Sequence, residues 1–297
     1  MFKKILLGYS RNQGGRDAAV LAEQLAGLSG GELEVVYPYH PLLATKPAKD
    51  VEREVRAELS ELLGASPALA HARYRWSNSS WPIRALHELA ECEEAETIVV
   101  GSTPSGFERR HVSTLERLVH GAPCTVALAP ASFSAQPRRL RWIGVGFADT
   151  EEGRAALTLA RWIAERSGAS LRVLAGSGLS PTLQSYAAAS PDLPAAEAEM
   201  QSEMKVAAYR VCEELLAGVD YEIDVRRGDP CQLLVSASED LDMLVLGSRA
   251  YGPLRRALLG SVSAAVMRAS CCPVIVAPRG ASVDGAPSAR ASTAIGV

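Results

Sequence analysis

The chain has little of what marks a membrane or nucleic-acid protein. No uninterrupted apolar run nears the ~18 residues of a bilayer span, and the net charge is only −3 over 297 residues. The first absence excludes a transmembrane helix, and the second removes any general electrostatic pull toward nucleic acid or a membrane surface. The start, Met1 to Tyr9, has a short apolar stretch that Arg11 interrupts, with no cleavage site, and reads as a first strand rather than a signal peptide. Six cysteines (Cys92, Cys124, Cys212, Cys231, Cys271 and Cys272) show neither the density of a disulfide framework nor CxxC spacing. They fit reduced, buried thiols in a cytoplasmic protein. The adjacent pair Cys271 and Cys272 fits a packing position at a helix end better than a redox sensor. The five histidines are scattered, none at metal-ligand spacing, and no Ser, His and Asp grouping recurs at a catalytic spacing.

What is present is a repeat. Gly8 Tyr9 Ser10 Arg11 Asn12 aligns with Gly146 Phe147 Ala148 Asp149 Thr150 at an offset of 138. Cys124 Thr125 Val126 Ala127 Leu128 Ala129 Pro130 aligns with Cys272 Pro273 Val274 Ile275 Val276 Ala277 Pro278 at an offset of 148. A unit this long means two similar domains rather than a solenoid, consistent with a chain above single-domain size. The expected division is residues 1–131 and 140–279, with a linker over 132–139 and a disordered Ala, Ser and Gly-rich tail over 280–297.

Within each half, strand-like runs alternate with helical ones. Strands are expected near Ile5–Tyr9, Leu33–Tyr37, Ala72–Trp76, Thr97–Gly101 and Thr125–Leu128, then near Trp142–Phe147, Ser170–Ala175, Tyr221–Arg226, Met243–Gly247 and Val274–Ala277. The pattern predicts an α/β fold of two tandem domains, each a five-stranded parallel sheet flanked by helices, with ligands at the carboxyl ends of strands.

One such end carries the most chemistry. A buried-strand pattern ending at Leu246 gives way to Gly247 Ser248 Arg249 Ala250 Tyr251 Gly252 and, further on, Gly260 Ser261 Val262 Ser263, where a helical pattern begins. A helix start offers free N–H groups and a favourable dipole to an anion, and Arg249, Arg255 and Arg256 add positive charge. An ordinary strand-to-helix turn is built from the same residues, so the local pattern fits both readings.

Taken together, these segments resemble the universal stress protein family in its tandem two-domain form, across nearly the whole chain. The resemblance implies a Rossmann-like fold of the adenine nucleotide alpha hydrolase type and a non-enzymatic role in stress response. In the nucleotide-binding branch the phosphate loop reads Gly, two residues, Gly, nine residues, Gly, then Ser or Thr. Gly247, Gly260 and Ser261 keep that spacing, but Ala250 stands at the middle glycine, where a left-handed backbone would cost about 1–2 kcal/mol. The implied site comprises Ala148, Asp149, Gly176, Gly247, Arg249, Ala250, Gly252, Gly260, Ser261, Val262 and Ser263, holding ATP or AMP, with Mg accompanying ATP. An Asp that meets adenine in the family is replaced by Ala148, with Asp149 one residue on. In the first half the loop is shorter, with Pro104 and Val112 at glycine positions and Ser10 at the Asp position, so that site is read as degenerate.

The resemblance also implies that the halves pair through their last strands, Val126 to Leu128 against Val274 to Val276, as an intrachain pseudo-dimer, and it allows a homodimer of chains. Two other readings stay open: a nucleotide-free interaction module, and a weak ATPase without an identifiable general base. An adenylylating enzyme fits poorly, because Ser10 Arg11 Asn12 Gln13 Gly14 Gly15 is not the loop such enzymes carry. A dinucleotide fold fits worse, since Gly144 and Gly146 lie within a strand.

Overall fold

The computed structural model describes residues 1–42, 44–77, 82–102, 116–137, 139–177, 193–248 and 260–277. The first half runs β1 (Lys4–Gly8), α1 (Gln13–Ser29), β2 (Glu32–Pro38), α2 (Ala48–Leu63), α3 (Pro67–Ala70), β3 (Arg73–Ser77), α4 (Pro82–Cys92), β4 (Thr97–Gly101) and β5 (Thr125–Ala129). After a 3-10 turn at Phe133–Ala135 come β6 (Trp142–Gly146), α5 (Glu151–Ser167), β7 (Ser170–Ser177), α6 (Leu193–Leu215), β8 (Tyr221–Arg227), α7 (Pro230–Ala237), β9 (Met243–Gly247), α8 (Ser261–Ala269) and β10 (Val274–Ala277). The expected tail over 280–297 lies outside the described residues. Among those described, no helix is long and apolar enough to cross a membrane.

The expectation of two five-stranded sheets is corrected: all ten strands join in one sheet, in the order β3-β2-β1-β4-β5-β10-β9-β6-β7-β8. Pairing is parallel within each half and antiparallel at the centre, where Val126 sits opposite Val276, Ala127 opposite Ile275 and Leu128 opposite Val274. The reason is physical. Left apart, β5 and β10 would each expose an apolar edge with unpaired backbone groups. Joined, all six of these side chains are 2% exposed or less, each aliphatic one contributing about 1.5–3 kcal/mol. The true outer edges, β3 and β8, carry charge instead, with Arg73 and Arg75 on one and Glu222 and Asp224 on the other.

Alternation along the strands feeds two cores that both cross the seam. Ile5, Leu7, Ala127 and Ile275 face the layer of α1, α2, α5 and α6. Leu6, Val126, Leu128, Val274 and Val276 face α4, α7 and α8. In the first layer Phe2 and Trp162, from different halves, meet edge to face with ring centroids 5.3 Å apart. Corresponding helices start and stop alike. Asn12 Oδ1 accepts from Gly15 N at 2.9 Å and Thr150 Oγ1 from Gly153 N at 3.1 Å. Gly30 and Gly168 end α1 and α5 in the left-handed region, at φ 64° and 70°, which a side chain would disfavour.

Candidate functional site at the carboxyl end of β9

β9 delivers Gly247 and Ser248 to the carboxyl edge of the sheet beside the first turn of α5. A Cβ on Gly247 would lie 2.5 Å from the Glu152 carbonyl oxygen, so this glycine is required by the strand-to-helix contact whether or not a ligand binds. Ser248 donates its N–H to Ala277 O at 2.9 Å. Its side chain is fully buried, and among the described residues its Oγ has no hydrogen-bond partner. Such an orphan hydroxyl is uncommon, because burying a polar group unpaired costs free energy.

α8 begins close by in sequence to the loop that Ser248 opens. Gly260 is its N-cap, with extended backbone (φ −71°, ψ 157°) and no side chain to cap the helix. Gly260 O accepts from Ala264 N at 2.9 Å, which leaves the N–H groups of Ser261, Val262 and Ser263 without intrahelical acceptors. Ser261 is exposed, Val262 packs partly buried against the core, and Ser263 is buried with its Oγ donating to Gly247 O at 3.3 Å. Arg249, Ala250 and Gly252, like Arg255 and Arg256, lie outside the described residues.

The residues expected at the adenine end each have contacts within the protein. Ala148 follows β6, and its carbonyl accepts from Thr150 N at 2.8 Å. Asp149 accepts from Arg154 Nε at 3.2 Å and Nη2 at 3.1 Å, and from Arg210 Nη2 at 2.8 Å. Its carboxylate is thus bound to guanidinium groups of α5 and α6. Gly176 lies on β7, where a Cβ would meet Pro230 Cα at 2.7 Å, so it serves the close approach of α7. Among the described residues no group of three or more His, Cys, Asp or Glu side chains is placed to hold a metal ion.

In the first half the corresponding loop, with Pro104 and Val112, lies outside the described residues. Ser10 Oγ donates to Asn12 Oδ1 at 2.9 Å. At the carboxyl ends of β1 and β2 an open cavity of about 420 Å³ is lined by Arg11, Tyr39, His40, Lys46 and Glu54. Charged side chains cross its wall: Arg11 bonds Glu54 at 2.7 Å and also pairs with Glu58, while Lys46 pairs with Glu54. Tyr9 OH donates to Glu58 at 3.1 Å, and burial together with that carboxylate pushes the phenol up to about 12.

Sequence reasoning missed three groups. The orphan Ser248 had the weak signal of following Gly247. Asp17 is fully buried and accepts from Ser132 N at 2.9 Å, Ser134 N at 2.8 Å and Ser134 Oγ at 2.7 Å, a contact over more than a hundred residues that local pattern does not reveal. Asp242, 6% exposed, accepts at Oδ2 from Arg141 N at 2.8 Å and Trp142 N at 3.0 Å. Of the paired cysteines, Cys271 is exposed and Cys272 buried, its thiol pushed up to about 12 by desolvation and so neutral at physiological pH.

A family model described as the universal stress protein family matches residues 1–130 and again 140–278. A universal stress protein of Mycobacterium tuberculosis is 27% identical over 298 residues, covering 92% of this chain and 99% of its own. A second from that organism is 34% identical over 95 residues, 26% of this chain and 32% of its own. Among solved structures, a universal stress protein from Archaeoglobus fulgidus superposes with a TM-score of 0.63 at 17% identity, covering 94% of this chain and 97% of its own. A protein described as a putative universal stress protein from Pseudomonas aeruginosa gives 0.66 at 18% identity, covering 94% of both. These two likenesses establish the fold, and the repeated model match establishes descent: the chain belongs to the universal stress protein family, in its tandem form.

Proposed function

We propose that the protein is a non-enzymatic, cytoplasmic stress-response protein that binds an adenine nucleotide, ATP or AMP, through the phosphoryl groups at the start of α8, with the first half as structural partner. The observation that carries the reading is the pairing of a helix start with no side-chain cap and a buried Ser248 hydroxyl without a partner on the loop leading to it. Free N–H donors and an orphan hydroxyl are the chemistry a phosphoryl oxygen satisfies. Ser248, Ser261, Val262 and Ser263 are the groups that would meet it.

The adenine end fits less well. Ala148 offers a methyl group, and Asp149 is engaged by Arg154 and Arg210. A missing charge-assisted hydrogen bond is worth about 1.5–3 kcal/mol, roughly ten- to a hundredfold in affinity, so binding is expected to be weak. No magnesium ligand set supports a metal-dependent mode among the described residues. The antiparallel β5–β10 pairing supports the pseudo-dimer within the chain.

Calorimetry with ATP and AMP tests the proposal. Saturable binding at millimolar nucleotide is expected. The exposed Ser261→Glu, which sets a carboxylate at the helix start, should abolish it with folding intact. Ser248→Ala should weaken it while leaving thermal stability unchanged or raised. Absence of binding in the folded protein would overturn the nucleotide reading and leave an interaction module of the same fold, which the engagement of Asp149 favours.

A further inference from the structure

At the opposite, amino-terminal end of β9 and β10, the halves enclose a second cavity of about 270 Å³. Its walls come from both halves: Pro130 and Phe133 from the segment leaving β5, and Leu241, Asp242, Cys272 and Pro273 from the second half. Phe133 is 8% exposed and Leu241 fully buried; the lining is about equally apolar and polar, with Ser132, Gln136 and Asp242 among its polar members. One charge stands in it. Both hydrogen bonds to the Asp242 carboxylate fall on Oδ2, where they tie down the start of β6. Among the described residues no hydrogen bond is made to Oδ1, which leaves that oxygen free to accept a further donor. Among the described lining residues there is no Lys, Arg or His, and the buried Cys272 thiol is neutral. Arg139 and Arg141 flank the region in sequence but are exposed.

A nine-tenths buried carboxylate with an unused oxygen, an aromatic ring and aliphatic walls, with no cation among them, is a receptor for positive charge on a carbon frame. The size is just below the ~300–1,000 Å³ of most small-molecule sites, which suits a small occupant. We propose that this seam cavity binds a small organic ammonium, its N–H groups meeting Asp242 Oδ1 and its carbon frame packing on Phe133, Pro130 and Leu241. An occupant held by both walls would fasten the 130–136 segment to the second half. The site is independent of the nucleotide reading, since it lies at the other end of the same strands.

Benzylammonium is a suitable probe, with benzyl alcohol as its uncharged counterpart, read by ligand-detected NMR and calorimetry on the full chain. Saturable binding of the cation and none of the alcohol is expected. Asp242→Asn should weaken the cation by about tenfold or more. Because that substitution also touches the β6 clamp, Ala135→Phe provides a second arm: Ala135 is exposed and lines the cavity, so the ring fills the space from the solvent side and should remove binding from a protein whose circular dichroism is unchanged. Ser261→Glu should leave the cation's affinity as it is. Equal affinity for alcohol and cation, undiminished binding in both cavity variants, or loss of binding in Ser261→Glu would each overturn the proposal, as would no binding at about 10 mM.

Discussion

The loop after the first strand is locked in both halves of this molecule, with the charges reversed. In the first half Arg11 is held by Glu54 and Glu58, both on α2. In the second, Asp149, at the aligned position, is held by Arg210 on α6, the helix in α2's place, and by Arg154 on α5. The two halves carry the same kind of lock with opposite polarity. The comparison teaches that Asp149 is accounted for by architecture. A carboxylate beside a nucleotide fold invites a ligand role, yet its counterpart is an arginine, which could not perform that role and makes the same kind of bridge. The halves diverge at Asp17, which fixes the segment after β5, while the aligned residue is Ala155, which has no carboxylate.

The sharpest way to break the shared frame is at the glycines that end β4 and β9. A Cβ on Gly101 would lie 1.8 Å from Gly14 O, and one on Gly247 2.5 Å from Glu152 O. In both cases the obstacle is backbone. Gly101→Ala and Gly247→Ala should each cost about 3 kcal/mol or more, with Gly101→Ala the worse, as chemical denaturation would show. If Gly247→Ala were tolerated while removing nucleotide binding, Gly247 would belong to the ligand and the equivalence of the halves would fail there.

Next in size is Asp17. Asp17→Ala strands three donors from Ser132 and Ser134, part-buried bonds, and should cost about 2–3 kcal/mol. Limited proteolysis should find new cleavage within residues 131–137. Cleavage unchanged in Asp17→Ala would show that Phe133, buried in the core, holds the segment alone.

Legibility followed the range of the interactions. Strand positions came through because they rest on local periodicity: β4, β9 and β10 fall at the expected residues, and the other strands within one or two. The β5–β10 pairing was expected from the family resemblance and accords with the apolar character of both edges, but its antiparallel register, set between distant segments, was not legible. The short α3, capped by Ser66 Oγ accepting from Leu69 N at 2.9 Å, carries too few residues to show a period. The segment over 132–137 reads as linker because its anchor, Asp17, sits on α1, where a buried acid looks like an exposed one in sequence. At the site, glycine and serine positions were legible as spacing. That Gly247 and Gly176 are filled by the protein's own backbone, and that Asp149 is spoken for, required three dimensions.

The smallest effect tests the lock itself. Arg210 is 67% exposed at its side chain and Asp149 32%, so solvent and salt screen the pair, and a double-mutant cycle of Asp149→Ala with Arg210→Ala should give a coupling of only about 0.2–1 kcal/mol. Arg11 with Glu58, similarly open at 46% and 34%, should give a value of the same order despite the reversed charges. Raising the salt should shrink both together. The informative measurement is nucleotide affinity in Asp149→Ala. If the carboxylate only braces the loop after β6, affinity stays within a few fold of the parent protein. If affinity falls ten- to a hundredfold, as loss of a charged hydrogen bond requires, Asp149 leaves its arginines when nucleotide arrives, and the two locks are alike only in the absence of ligand.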